Sequence, residues 1–196
     1  RDLHSFPTRR SSDLSPFLIK MKGEKLPTVA IQTFEHYYNL LVTGETGLIP
    51  EELIEPVATL PNADALPTEY AALGAANLEN TVVIKLNGGL GTGMGLSKAK
   101  SLLQVKNGLS FLDIIAKQAQ SQNMPVVLMN SFSTQADSLA VFGKYSDLNG
   151  DLKDDFLQHK VPKIRQSDMA PATYPENRSL EWCPPGHGDI YTALVD

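Results

Sequence analysis

The chain has 196 residues, 42% of them hydrophobic and 20% charged, with a formal net charge of −5, the balance of a folded globular protein of one domain or a domain with a short extension. Its longest apolar stretches, Val126 to Met129 and Thr81 to Ile84, fall far short of the ~20 residues that cross a bilayer, and the acidic balance leaves no broad basic footprint for nucleic acid. The single cysteine, Cys183, excludes an intramolecular disulfide framework and a multi-cysteine zinc or iron–sulfur site, and fits a reducing, cytoplasmic setting.

Residues 1–14, RDLHSFPTRRSSDL, lack helical or strand periodicity and the apolar core of a signal peptide. The string resembles translated sequencing-adapter sequence, so a non-native or disordered prefix is expected there. With the abrupt stop at Val195 and Asp196, just after an apolar run, it predicts a fragment cut at both ends. From Pro27 to Val42, the spacing of Val29, Phe34, Tyr37, Tyr38 and Leu41 predicts an amphipathic helix stopped by Gly44. Short helices are expected at Pro50 to Glu55 and around Glu69 to Asn77, giving a helical N-terminal extension over residues 15–80. His36 has no partner at metal-ligand spacing and reads as a packing or surface residue.

Residues 81–196 read as the first part of an α/β domain. Thr81 to Leu86 (TVVIKL) is a β-branched, buried strand. A second strand is expected at Leu102 to Val105, a helix at Phe111 to Gln120, a strand at Pro125 to Met129 and a helix at Thr134 to Phe142. This alternation implies a largely parallel sheet with its ligand beyond the carboxyl ends of the strands. Asp147 to Asp155 is acidic and turn-rich, but the ligand spacing and terminal Glu of an EF-hand are absent.

The first strand runs into LNGGLGTGMGLSKAK, where five of the eight residues from Gly88 to Gly95 are glycine. Such a loop lets backbone bend sharply and approach a ligand closely, with amides that donate to anionic oxygen. A tight glycine turn with no ligand is the plainer reading, and the lysines that follow weigh against it. The P-loop spacing G-x-x-x-x-G-K-[ST] is missing here, and both registers of G-x-G-x-x-G fail, at Met94 and at Leu96. Asp113, about 20 residues after the loop as a ribose-binding acid would be, reads instead as a surface residue or helix N-cap.

Leu86, Asn87, Gly88, Gly89, Leu90, Gly91, Thr92, Met94, Gly95 and Lys100 match the loop L-N-G-G-L-G-T-x-M-G-x-x-x-P-K, and on these residues the chain resembles the UTP–glucose-1-phosphate uridylyltransferases, also called UDP-glucose pyrophosphorylases. Ala99 stands where that family usually has Pro, which is expected to loosen the turn before Lys100 while removing no functional group. Related UDP-N-acetylhexosamine and broad UDP-sugar pyrophosphorylases carry Arg-Leu where this chain has Gly93 and Met94, which favours glucose 1-phosphate. Met129 to Thr134 (MNSFST), Phe156 to Ile164 (FLQHKVPKI) and Trp182 to Tyr191 (WCPPGHGDIY) resemble the same family in the same order.

The resemblance implies a Rossmann-like nucleotide-sugar-transferase fold, GT-A-like, with a mixed, mostly parallel sheet, here truncated and in the complete protein followed by a β-helical domain. It implies that Leu86, Asn87, Gly88 and Gly89 line uracil and ribose, that Met129 and Gln158 close on the base, and that backbone at Gly186 completes its recognition. A Gln amide both donates and accepts, as the mixed edge of uracil requires. Without the family, Met129 reads as core and Gln158 as a surface residue on a strand edge. Lys100 resembles the lysine on the α-phosphate, where it would offset developing charge, and Lys98 is given a supporting or solvent-facing role. His187 resembles the histidine on the sugar phosphate. The HGD string by itself also suggests a metal or charge-relay pair, with Asp189 orienting the imidazole. His159 is expected on the opposite side of its strand, not as a ligand, and Cys183 as buried rather than nucleophilic.

The activity implied for the parent protein is formation of UDP-glucose and pyrophosphate from UTP and glucose 1-phosphate with Mg2+, whose aspartate ligand is expected in an N-x-D segment beyond residue 196, no metal ligand lying within this stretch. The 196 residues alone are expected to be inactive. The alternatives are a non-catalytic UTP- or UDP-sugar-binding paralogue and a pyrophosphorylase for another sugar 1-phosphate. No nucleic-acid or membrane partner is expected.

Overall fold

A computed structural model describes residues 13–45 and 47–195, so the prefix expectation lies, up to residue 12, outside the described residues. Asp13 and Leu14 already join the fold: Asp13 Oδ1 accepts the Ser15 backbone N–H at 2.9 Å, and Leu14 packs against a buried aromatic cluster. Helices α1 (Ser15–Gly23) and α2 (Thr28–Thr43) follow. Gly44 ends α2 at φ 88°, a left-handed conformation that glycine adopts without a Cβ clash. The face α2 buries is Ala30, Phe34 and Tyr38, spaced as the 3.6-residue period demands, whereas Tyr37 is 64% exposed. Where Pro50 to Glu55 predicts a helix there is one 3₁₀ turn, Glu51–Leu53. Leu53 and Ile54 stay exposed, and a first turn without packing has nothing to propagate it. Helix α3 (Glu69–Ala76) stands where it was expected.

The next elements are β1 (Val83–Asn87), β2 (Gln104–Lys106), β3 (Leu109–Ser110), α4 (Phe111–Ser121), β4 (Val126–Asn130), α5 (Gln135–Phe142) and β5 (Asp155–Leu157). Strands β1, β4 and β5 form a parallel sheet in the order β1-β4-β5, the α/β arrangement expected. Leu112, Ala116 and Ala119 of α4 and Phe142 of α5 cover Val126 and Leu128 in one core. The second strand does not enter this sheet. Leu102 falls in a 3₁₀ turn, Lys100–Leu102, and β2 pairs antiparallel with β3. Between them Asn107 and Gly108 have φ of 53° and 74°, the Asn-Gly hairpin turn that suits the strand twist.

Strands β6 (Val161–Pro162) and β7 (Trp182–Cys183) form an antiparallel pair, followed by the short helix α6 (Ile190–Ala193). Phe17, Met21, Phe34 and Tyr38 from the first two helices bury against Trp182, with Phe132, Val161 and Ile164 packed around them. The Lys20 ammonium donates to the Ala172 carbonyl at 3.0 Å and pairs with Glu181, and the Lys160 ammonium lies 4.8 Å from the Trp182 ring centroid, a favourable cation–π placement. Among the described residues no helix is long and apolar enough to cross a membrane.

Candidate functional site

The glycine-rich loop leaves the carboxyl end of β1 and folds back on itself. Leu90 bridges Ala99 in antiparallel fashion, the Gly91 N–H donates to Lys98 O and the Lys100 N–H to Gly89 O, each at 3.2 Å. Lys100 is thereby tied to the start of the loop. Two glycines are closely approached by other side chains. A Cβ on Gly88 would stand 1.6 Å from Gln158 Nε2, and one on Gly91 would lie 2.5 Å from the Leu96 side chain. Ala99 keeps φ at −54°, within the range a proline ring fixes, so the turn before Lys100 holds its shape without the ring.

Beneath the loop lies a buried polar floor. Asn87 and Asn130 end β1 and β4 as register partners. The Asn87 amide donates to Asn130 Oδ1 and to Ser138 Oγ, both at 2.7 Å, and its Oδ1 accepts from Ser101 Oγ at 2.5 Å. Thr134 Oγ1 donates to Asn87 O at 2.7 Å. Asn130 Nδ2 and Gln135 Nε2 each donate to Asp155 Oδ2 at 2.9 Å. No described buried side-chain polar atom lacks a partner. Sequence reasoning missed Ser101, Asn130, Thr134, Ser138 and Asp155; the available signal was an asparagine closing each of two largely apolar strands, β1 and β4.

A cavity of about 420 Å³ opens above this floor, with Leu86, Asn87, Gly89, Met94, Lys100 and His187 among its walls. Lys100 and His187, far apart in the chain, thus face one space. Gln158 is 6% exposed, held by its backbone N–H on Asn130 O at 2.8 Å with its amide over Gly88. Read from the residue alone it is a surface side chain; instead, the closeness of Gly88 lets it bury. Met129 is fully buried in β4 and forms no part of that cavity's wall.

Gly186 sits at φ 119°, where a side chain is strained, and turns the chain into the 3₁₀ segment His187–Asp189. His187 is exposed. Asp189 does not orient it. The Asp189 carboxylate instead accepts the His159 backbone N–H at 2.6 Å, lies 2.9 Å from His159 Nδ1, and accepts Thr192 Oγ1 at 2.5 Å. His159 lies past the end of β5 rather than on its opposite side, and is itself buried. Burial pushes the Cys183 thiol up, against a smaller pull from Lys163, and Cys183 Sγ rests on Val161 O, which leaves it a poor nucleophile. Asp113 is neither a surface residue nor the N-cap: Ser110 is the N-cap of α4, and Asp113 is its buried N3 partner in a capping box and also accepts the Tyr145 hydroxyl at 2.8 Å. Among the described residues no three His, Cys, Asp or Glu side chains cluster to hold a metal ion.

A family model described as UTP–glucose-1-phosphate uridylyltransferase matches residues 31–196. The UTP–glucose-1-phosphate uridylyltransferase of Solanum tuberosum is 39% identical over 153 residues, which cover 74% of this chain and 31% of that protein; the corresponding Hordeum vulgare protein is 39% identical over 151 residues, with the same two shares. The chain therefore spans about a third of the length of the curated relatives it matches. Among solved structures, a UDP-glucose phosphorylase from Trypanosoma brucei superposes with a TM-score of 0.79 at 43% identity, covering 94% of this chain and 39% of that one. A UDP-glucose pyrophosphorylase variant from Leishmania major, in complex with UDP-glucose, gives 0.82 at 42% identity, with 95% and 40% covered.

Proposed function

Because the chain belongs to the UTP–glucose-1-phosphate uridylyltransferase family, we propose that the protein of which it is part makes UDP-glucose and pyrophosphate from UTP and glucose 1-phosphate. The observation that carries this reading is the convergence of Lys100 and His187 on one cavity walled by the glycine-rich loop. A phosphate oxygen of glucose 1-phosphate attacks the α-phosphorus of UTP, the bond from that phosphorus to the bridging oxygen breaks, and pyrophosphate leaves. The attacking oxygen is already anionic, so no side chain is needed to remove a proton. What the protein supplies is position and charge.

In this reading Leu86, Gly88 and Gly89 line uracil and ribose, Gln158 meets the base edge, and backbone at Gly186 completes its recognition. Asn87 serves the nucleotide from below, since its amide is engaged in the floor. Met129 serves in the same indirect way, as the strand residue under the loop. Lys100 offsets the charge that builds on the α-phosphate, and His187 contacts the sugar phosphate. Magnesium belongs to the reading as a neutraliser of phosphate charge; the described residues offer no cluster of three His, Cys, Asp or Glu to hold it. A cytoplasmic setting is part of the proposal, supported by the lone cysteine.

The test is pyrophosphate release by the complete reading frame from UTP with glucose, galactose or N-acetylglucosamine 1-phosphate. Activity with the glucose compound is expected, and Lys100→Ala is expected to lower kcat by roughly 10²–10³-fold, the scale of losing one transition-state donor. UTP binding without pyrophosphate release from any sugar phosphate would replace the enzyme with a binding protein.

A further inference from the structure

The geometry points to Asp189 as a positioning residue for the sugar-phosphate side of the site, acting through His159 rather than through the histidine beside it in sequence. The inference rests on the function proposed above. The Asp189 carboxylate is 5% exposed, and its two oxygens gather three donors: the His159 N–H at 2.6 Å and, around Oδ1, His159 Nδ1 at 2.9 Å and Thr192 Oγ1 at 2.5 Å. Its own N–H donates to Gly186 O at 3.2 Å. The backbone of Asp189 therefore closes the Gly186–Asp189 turn, while its buried carboxylate joins that turn to α6 through Thr192 and fastens it to the chain leaving β5 through His159. His187 projects from that turn into the cavity that also holds Lys100.

The consequence is asymmetric. Gln158, the neighbour of His159, has a separate anchor, its N–H on Asn130 O at 2.8 Å, and the glycine loop has its own bonds to Lys98 and Lys100. Among the described residues, the side-chain bonds that reach from the turn bearing His187 to the chain leaving β5 are those of Asp189, while the β6–β7 pairing holds the segment that precedes the turn. Loosening the carboxylate frees His187 and leaves the uracil side in place.

The experiment uses the complete reading frame with Asp189→Asn, which keeps the size of the side chain and removes its charge and one acceptor. His159→Gln, which removes the ring that Asp189 grips, tests the same contact should Asp189→Asn fail to fold. KM for each substrate and kcat are measured beside the nitrogen-15 imidazole resonances of His187. KM for glucose 1-phosphate is expected to rise roughly tenfold or more, within the range that about an ångström of misplacement produces, while KM for UTP changes less than roughly threefold, and the His187 resonances shift. In an active frame, equal changes in both KM values, or none, overturn the inference. Should the unmodified frame release no pyrophosphate, the proposed function fails, and the His187 resonances decide this point alone: a shift in Asp189→Asn upholds the coupling, and unchanged resonances overturn it.

Discussion

Asn87 occupies a position in a nucleotide loop where a polar side chain is readily assigned to the ligand, yet its amide hydrogens and its carbonyl oxygen are engaged by Asn130, Ser138 and Ser101. Asn87→Ala is expected to destabilise by about 1–3 kcal/mol, because fully buried partners such as Asn130 and Ser138 lose a bond that no water replaces; urea unfolding measures it. Gly88 works in the opposite sense, by absence. In Gly88→Ala the new Cβ meets the far end of the Gln158 side chain, 1.6 Å away, so the fold survives while Gln158 is displaced. Calorimetric titration of the complete protein is expected to show UTP affinity lowered by roughly tenfold, the value of one well-placed polar contact, with the melting temperature little changed.

Helix α4 carries the clearest dependence on acid. Burial alone would raise the Asp113 carboxyl, but bonds from the Ser110 side chain and backbone and from Tyr145, with the charge of Lys144, more than offset it and hold the group below its ordinary value of 3.8. A carboxyl depressed in the folded state contributes stability that is fully present above the unfolded value and is lost as pH falls through the folded one. Acid unfolding is therefore expected to steepen below pH 3.8, and Asp113→Asn to flatten that limb. Ser110→Ala removes the cap at a cost of about 1 kcal/mol at neutral pH, read from a denaturation midpoint. At this scale much of the fold was legible: β1, α2, α4, β4 and α5 announce themselves by period and by stop signals such as Gly44. The hairpin of β2 and β3 was also written, in Asn107-Gly108, but the apolar run ahead of it draws the eye to Leu102. The site was legible where it depends on backbone, in the density of glycines. It was not legible where it depends on distant pairing: Asp189 adjoins His187 in sequence through one glycine, and only the tertiary fold turns its carboxylate toward His159.

For the molecule as a whole, the placement of the His187 turn traces back to the first two helices. Trp182 begins the segment that runs through Cys183 to Gly186, and it is buried on Phe17, Phe34 and Tyr38, whose rings sit 5.0–6.0 Å apart. Phe34→Ala is expected to cost about 3–5 kcal/mol, the range for emptying a buried aromatic site, measured by thermal or chemical unfolding. The same substitution withdraws support from β7, so in the complete protein it should raise KM for glucose 1-phosphate even though Phe34 touches no part of the cavity that holds His187.

That aromatic cluster also sets a timetable. Roughly 140 residues separate Tyr38 from Trp182, so at 5–20 residues per second the ribosome delivers the aromatic face of α1 and α2 roughly 7–30 s before its cover is complete. The parallel sheet, whose strands lie between them, can form in that interval; the helical face cannot be sealed. Phe132, Val161 and Ile164 arrive within that interval and cover part of the face, so its exposure shrinks in steps and ends only when Trp182 emerges.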